Sequence, residues 1–297
     1  MRGTSGRQTK YRSTRQPASS RKRQSSSTVS REGKSSRLAL GRESGVQLTG
    51  STPTPNVGVV YLSFGEDYKA LTTLSVGFLR RFGYTGPVRI LTDSHHWRVD
   101  NLDCEIVNVP SPETDFGTRY YKTQINQLSF ANTLLLDADT LPIAPICHIW
   151  HDLRFAHICL SLDLHPNVLH LIEKSNKDRE RRLPEYRYMS DSGMVKNNLY
   201  NCGVMLFRRS SVTDRLFEAW HQEWNRFGNE DQLAMVRAIA RTRSKVHTLA
   251  PCWNALPNRF RSIGEARTAG VKILHFLGTQ RPLLERFLEE ASCARFS

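Results

Sequence analysis

The run from Leu134 to Thr140, "LLLDADT", constrains this chain more than any other stretch. With Thr133 it makes a continuous apolar strand that asks to be buried, and it stops at two carboxylates one residue apart. Further strands are predicted at "VGVVYL", "PVRILTD", "CEIVNVP", "HICLSLD", "CGVMLF", "VHTL" and "VKILHF". Helical patterns run between them. "DYKALTTLSVGFLRRFG" carries Leu71, Leu74, Phe78 and Phe82 at helical spacing, with Asp67 as N-cap and Gly83 just past the end. "SVTDRLFEAWHQEWNRF" lines up Leu216, Phe217, Trp220, Trp224 and Phe227, with Ser211 or Thr213 as the cap. That spacing assigns Trp220 and Trp224 to the core rather than to a sugar-stacking platform. Residues 118–129 and "DQLAMVRAIART" read as two more helices, whereas the polar, aperiodic "EKSNKDRERRLPEYRYMSDSG" reads as a loop. Strands alternating with helices predict an α/β fold with a mostly parallel central sheet flanked by helices.

Charge divides the chain. The 297 residues carry a formal net charge of +14, and most of the excess lies before Pro55, among Arg, Lys, Ser, Thr and Gly. Such a segment cannot bury enough apolar surface to offset its conformational entropy, so residues 1–55 are expected to be a disordered basic tail and 56–297 the folded domain. "RKRQSSST", Arg21 to Thr28, fits a solvated tail, an arm contacting a polyanion (nucleic acid or acidic membrane), or an organellar import signal that lacks an amphipathic face. No apolar run is long enough to span a membrane. The six cysteines show no CxxC or other close metal-binding spacing, which suits a reducing compartment. The expected location is cytoplasmic, with organellar import through the tail as the alternative.

The two aspartates carry the chemistry. In α/β sheets ligands bind beyond the carboxyl ends of the strands, where Asp137 and Asp139 fall. Residues i and i+2 of an extended chain point the same way, and two like charges held together call for a hard divalent cation. Near the other end, "VKILHFLGTQRP" is a strand closing on His275. Imidazole added to two carboxylates makes an O,O,N set that suits Mn²⁺, with Mg²⁺ possible. Gly278 would let backbone approach a phosphate, and Arg281 would supply charge to it. The first βα unit lacks GxGxxG and GxxxxGK[ST], which speaks against a dinucleotide site or a P-loop.

"LLLDADT", "YNCGVMLF", "NEDQLAM" and "HFLGTQRP", in that order, together with the opening "VGVVYLSFGEDYKALTTLSVGFLRRFGYTGPVRILTD", resemble glycosyltransferase family 8, the glycogenin-like enzymes of GT-A fold. The resemblance spans essentially everything after Pro55. It implies a single GT-A-type domain that moves a sugar from a nucleoside diphosphate donor, a UDP-sugar, to an acceptor with retention of configuration. Asp137, Asp139 and His275 then resemble the metal ligands. Tyr61 and Leu62 would border the base, Lys122 would help hold the sugar-nucleotide, and Gly278 and Arg281 would bind the diphosphate. Asn201, Asp231 and Gln232 match positions that touch the donor sugar near its anomeric carbon. Four positions depart from the family pattern: Arg281 replaces a lysine, Leu283 an aromatic, "NCG" the usual "NSG" or "NAG", and Gly228 an acidic residue. Two rivals are a sugar-nucleotide nucleotidyltransferase, whose glycine-rich basic loop is missing from "YLSFGEDYKA", and a catalytically silent protein acting through its basic tail. Trp253, in "PCWNALPNRF", is a candidate wall for the acceptor.

Overall fold

The computed structural model describes residues 57–97, 99, 102–111, 117–174, 179–228, 230–280 and 282–293. The tail, expected at residues 1–55, lies outside the described residues, as does Arg281.

Strand β1 (Val57–Ser63) leads into helix α1 (Glu66–Arg81), then β2 (Val88–Thr92), β3 (Glu105–Asn108) and the short α2 (Gly117–Lys122). There follow β4 (Asn132–Asp137), β5 (Thr140–Pro142), β6 (Ile158–Asn167), α3 (Val168–Lys174), α4 (Arg179–Asp191) and β7 (Asn198–Arg208). The chain continues through α5 (Ser211–Phe227), α6 (Asp231–Thr242), β8 (Val246–Thr248), α7 (Ile263–Thr268), β9 (Ile273–His275) and α8 (Pro282–Cys293). Seven strands make one sheet in the order β3-β2-β1-β4-β7-β6-β8, and β5 pairs with β9 beside it. The sheet is parallel except where β7 runs antiparallel to both β4 and β6.

The apolar strand dictates the centre of this sheet. Leu134, Leu135 and Leu136 are fully buried in β4, which β1 flanks on one side and β7 on the other. From β1 the chain first builds outward through β2 and β3, then crosses back to β4. The order therefore reverses between β1 and β4, a switch point that leaves a crevice at the strands' carboxyl ends. Two registers set what stands there. Leu62 of β1 pairs with Asp137 of β4, and Thr140 of β5 pairs with His275 of β9, so residues about 135 apart in sequence become neighbours.

Several local expectations shift. Gly65, at φ 80°, is the N-cap of α1, so Asp67 sits inside the first turn, where its charge still favours the helix dipole. Ser210 caps α5 and forms a capping box with Thr213. Residues 118–129 split into α2 and a 3₁₀ turn at Ile125–Leu128. The segment read as a loop contains helix α4, whose Tyr186 and Met189 are buried although the helix is polar overall. Trp253 lies in the core with Leu249 and Ile273 and forms no exposed wall, whereas Trp220 and Trp224 are buried as their spacing predicted. Among the described residues, no helix is long and apolar enough to cross a membrane.

Candidate metal and donor site

Asp137 ends β4 and Asp139 follows in the turn to β5, while His275 ends β9. The structure brings all three together: one potential ligand atom from each lies within 4.8 Å of the others, the only such acidic or histidine group among the described residues. His275 Nε2 is 3.2 Å from Asp139 Oδ1. A backbone hydrogen bond from Phe276 N–H to the Asp139 carbonyl, 2.8 Å, locks the two segments.

Hydrogen-bond donors fix how His275 points. The Gly203 backbone N–H, which can only donate, bonds Asn201 Oδ1 at 2.9 Å. That oxygen also accepts from Asn254 Nδ2 at 3.0 Å, which turns the Asn254 carbonyl oxygen toward His275 Nδ1, 2.9 Å away. Nδ1 must therefore carry the proton, and Nε2 aims its lone pair at the aspartates. Nε2 and a carboxylate oxygen at 3.2 Å need a cation between them, a proton or a metal ion. Two carboxylates and one such nitrogen are a fitting donor set for Mn²⁺. Gly203 makes room for the cluster: a Cβ there would lie 2.2 Å from His275 Cε1 and 2.9 Å from Asp137 Oδ2. The glycine of "NCG" is thus required by close approach.

Charges surround the aspartates on one side. Lys122 Nζ bonds Asp137 Oδ2 at 2.8 Å and Asp231 Oδ2 at 3.3 Å. Arg119 Nε stands 3.5 Å from Asp231 Oδ1 and its Nη2 3.5 Å from Glu230, which Arg182 of α4 holds in turn. Burial works against the Lys122 ammonium, but Asp137 and Asp231 outweigh it and raise its pKa well above the lysine range. Burial likewise opposes the Asp231 carboxylate, yet Lys122 and Arg119 hold its pKa below the usual value. At Asp137 burial wins: with Asp139 adding repulsion and Lys122 opposing, its pKa is raised. A second cation beside Asp137 would relieve that strain.

A cavity of about 320 Å³ opens at this point. Its lining includes the charged Arg119, Lys122, Asp137, Asp139 and Asp231 and the larger apolar or aromatic Leu62, Phe64 and Tyr68. Phe64 stacks on Tyr121 with ring centroids 5.2 Å apart, which stiffens that wall. Tyr61, expected at the base, is elsewhere: it is fully buried under the sheet and its hydroxyl bonds Ser75 at 2.9 Å. Adjacent strand residues point to opposite faces, so Leu62 reaches the cavity and Tyr61 does not. Gly278 adopts φ 37° three residues after His275 and does not line the cavity.

Of the three expected catalytic residues, Asn201 and Gln232 meet at Asp163 Oδ2, and Asp231 stands apart from them. Asp231 faces this cavity, Asn201 lines a second one behind His275, and Gln232 donates to Asp163 Oδ2 at 3.1 Å. The sequence reading missed Arg119, Asp163, Gly203, Glu230 and Asn254. Asp163 had a readable signal, because "HICLSLD" is another apolar strand ending in a carboxylate.

Neither a family model nor a curated protein sequence matches the chain. Solved structures do. WbbM, a bifunctional glycosyltransferase in apo form, is 13% identical over 78% of this chain and 47% of its own, with a TM-score of 0.50. Mouse xyloside xylosyltransferase 1, also apo, is 12% identical over 75% of this chain and 98% of its own, with a TM-score of 0.49. The galactosyltransferase LgtC, in complex with donor and acceptor sugar analogues, is 15% identical over 74% and 87%, with a TM-score of 0.48. At these identities the likeness is one of fold. The chain has the GT-A type of α/β architecture, a mostly parallel sheet flanked by helices.

Proposed function

We propose that this protein is a metal-dependent glycosyltransferase that moves a sugar from a nucleoside diphosphate donor, a UDP-sugar, to a glycosyl acceptor with retention of anomeric configuration. The convergence of Asp137, Asp139 and His275, with both aspartates lining a cavity of charged and apolar side chains, carries this reading. The fold it shares with glycosyltransferases supports it. Residues 56–297 form the catalytic domain in this reading.

Bound by those three residues, Mn²⁺ would supply electrostatic stabilisation to the departing diphosphate. Lys122 and Arg119 add cationic charge on the same side, so negative charge developing on the leaving group meets fixed partners in a confined site. In this reading Gly278 and Arg281 would serve the diphosphate as the family resemblance implies, the glycine by close backbone approach and the arginine by its charge. Leu62, Phe64 and Tyr68 offer the base an apolar slot. Asp231 is kept ionised by its two cationic neighbours and faces the positive charge that grows on the anomeric carbon. Gln232 and Asn201 hold Asp163 for the hydroxyls of the transferred sugar.

A melting experiment tests the reading. At a hundred times its Kd, a ligand specific for the folded state adds about 2.7 kcal/mol of stability. UDP with Mn²⁺ should produce a shift of that order, and UDP with a chelator should produce little. Equal shifts with and without Mn²⁺, or none with either, would count against it.

A further inference from the structure

Away from the aspartates, two histidines meet nitrogen to nitrogen. His165, near the end of β6, and His170, in the first turn of α3, bring their Nδ1 atoms to 2.9 Å, with ring centroids 5.1 Å apart. Two neutral imidazoles approach that closely only when one Nδ1 carries a proton and the other offers it a lone pair. Both rings are half-buried, so the pair is open to solvent ions.

Strand geometry explains the meeting. β6 pairs with β7 up to Leu162↔Tyr200 and again only at Asn167↔Asn198, so residues 163–166 stand opposite Leu199 alone. An irregularity of this kind interrupts the ladder and re-aims the side chains within it, here His165. Two side-chain to main-chain bonds then fix the frame on either side. The His165 N–H donates to Asp163 Oδ1 at 3.0 Å, and the His170 N–H to Asn167 Oδ1 at 2.8 Å. By the second bond Asn167 satisfies one of the free N–H groups at the start of α3. Both histidines are thus anchored through their main chain, independently of what their rings hold.

We infer that His165 and His170 bind Zn²⁺ in place of the shared proton. Two imidazoles on one tetrahedral Zn²⁺, with Zn–N of about 2.0–2.1 Å, keep their ring centres about 5 Å apart, the spacing found here. Their nitrogens then lie about 3.3 Å apart, so the rings have to tilt but not to separate. The exchange releases no proton, because the one between the rings passes through water to the bare Nε2 of its own ring. Among the described residues, no third histidine, cysteine or carboxylate joins the pair, so water fills the open positions. A donor set of nitrogens alone favours Zn²⁺ over Mn²⁺, which separates this site chemically from Asp137, Asp139 and His275. Zinc here ties the strand end that carries Asp163 to the first turn of α3.

Calorimetric titration of the full chain with Zn²⁺ tests this, beside the variants His165→Gln and His170→Gln. Each substitution keeps the main-chain N–H that bonds Asp163 or Asn167, so the far-UV circular dichroism should be unchanged. Zinc taken up by the aspartates is common to all three proteins, and the readout is therefore the difference between them. Removing one of two ligands should weaken the site at least about tenfold, so each variant loses one binding event that the wild type shows. An anomalous difference map at the zinc absorption edge, from wild-type crystals soaked in Zn²⁺, should show a peak about 2.0–2.1 Å from both Nδ1 atoms. Isotherms that superimpose, or a map empty between the two rings, would each overturn the inference. Neither measurement involves a nucleotide or a sugar, so this site stands or falls apart from the transfer reaction.

Discussion

The variant Asp139→Asn is expected to lose Mn²⁺-dependent UDP binding and glycosyl transfer while keeping its fold. The amide has nearly the shape of the carboxylate but no charge, so packing in the turn after β4 is undisturbed. What disappears is one of two anionic donors. Replacing even the outer partners of a metal ligand costs about 10–100-fold in affinity, so removing a ligand should cost at least about 100-fold. The apo protein should melt no lower than wild type. Asp139 repels Asp137 and helps raise its pKa, so its removal eases a like-charge conflict. Titration of Mn²⁺ in the presence of UDP, beside a thermal melt, reads both effects. A variant that binds the nucleotide in the wild-type manner would show that Asp139 is not a ligand.

The largest stability loss is expected far from the metal. Arg237 of α6 is 1% exposed and joins three helices. Its Nη1 donates to Glu185 of α4, its Nε to Glu223 Oε2 of α5 at 3.1 Å, and its Nη2 to the Glu223 carbonyl at 2.8 Å. The guanidinium also lies 4.7 Å from the Phe227 ring. Glu185 is fully buried, and burial raises its pKa although Arg237 opposes that shift. Arg237→Ala strands this carboxyl without a partner and should cost about 3–5 kcal/mol, read as a drop in the denaturation midpoint. Replacing all three charged groups by apolar residues of similar volume should return most of that loss, because the ions' desolvation cost goes with them. A single variant within about 1 kcal/mol of wild type would refute the role given to this bridge.

The bridge also shows where sequence reading fails. Helix α4 is polar along "RERRLPEYRYMSD", and its apolar positions have no clear helical period. It was expected to be a loop because periodicity reports burial of apolar side chains, whereas here a buried ion pair and the few apolar residues Tyr186 and Met189 hold the helix. Strands and α5 were legible for the opposite reason: "TLLL" and the Leu216–Trp220–Trp224 stripe are buried by hydrophobic pattern alone. The metal candidates were legible because their residue types carry the chemistry. Their meeting depends on the Thr140↔His275 register, which no local pattern states. Gly203 and Asn254 were invisible, since a close approach and a tautomer-setting hydrogen bond exist only once the strands are assembled. Tyr61 and Leu62 were named together for the base, but neighbours on a strand face opposite ways, and only Leu62 reaches the cavity.

The central claim is that Asp137, Asp139 and His275 hold one ion in common. An anomalous difference map, recorded at the manganese absorption edge from crystals of the full chain grown with Mn²⁺ and UDP, tests it most directly. The account predicts a single strong peak at bonding distance from a carboxylate oxygen of each aspartate and from Nε2 of His275. A peak elsewhere, or one that touches the aspartates while the imidazole turns away, would contradict it.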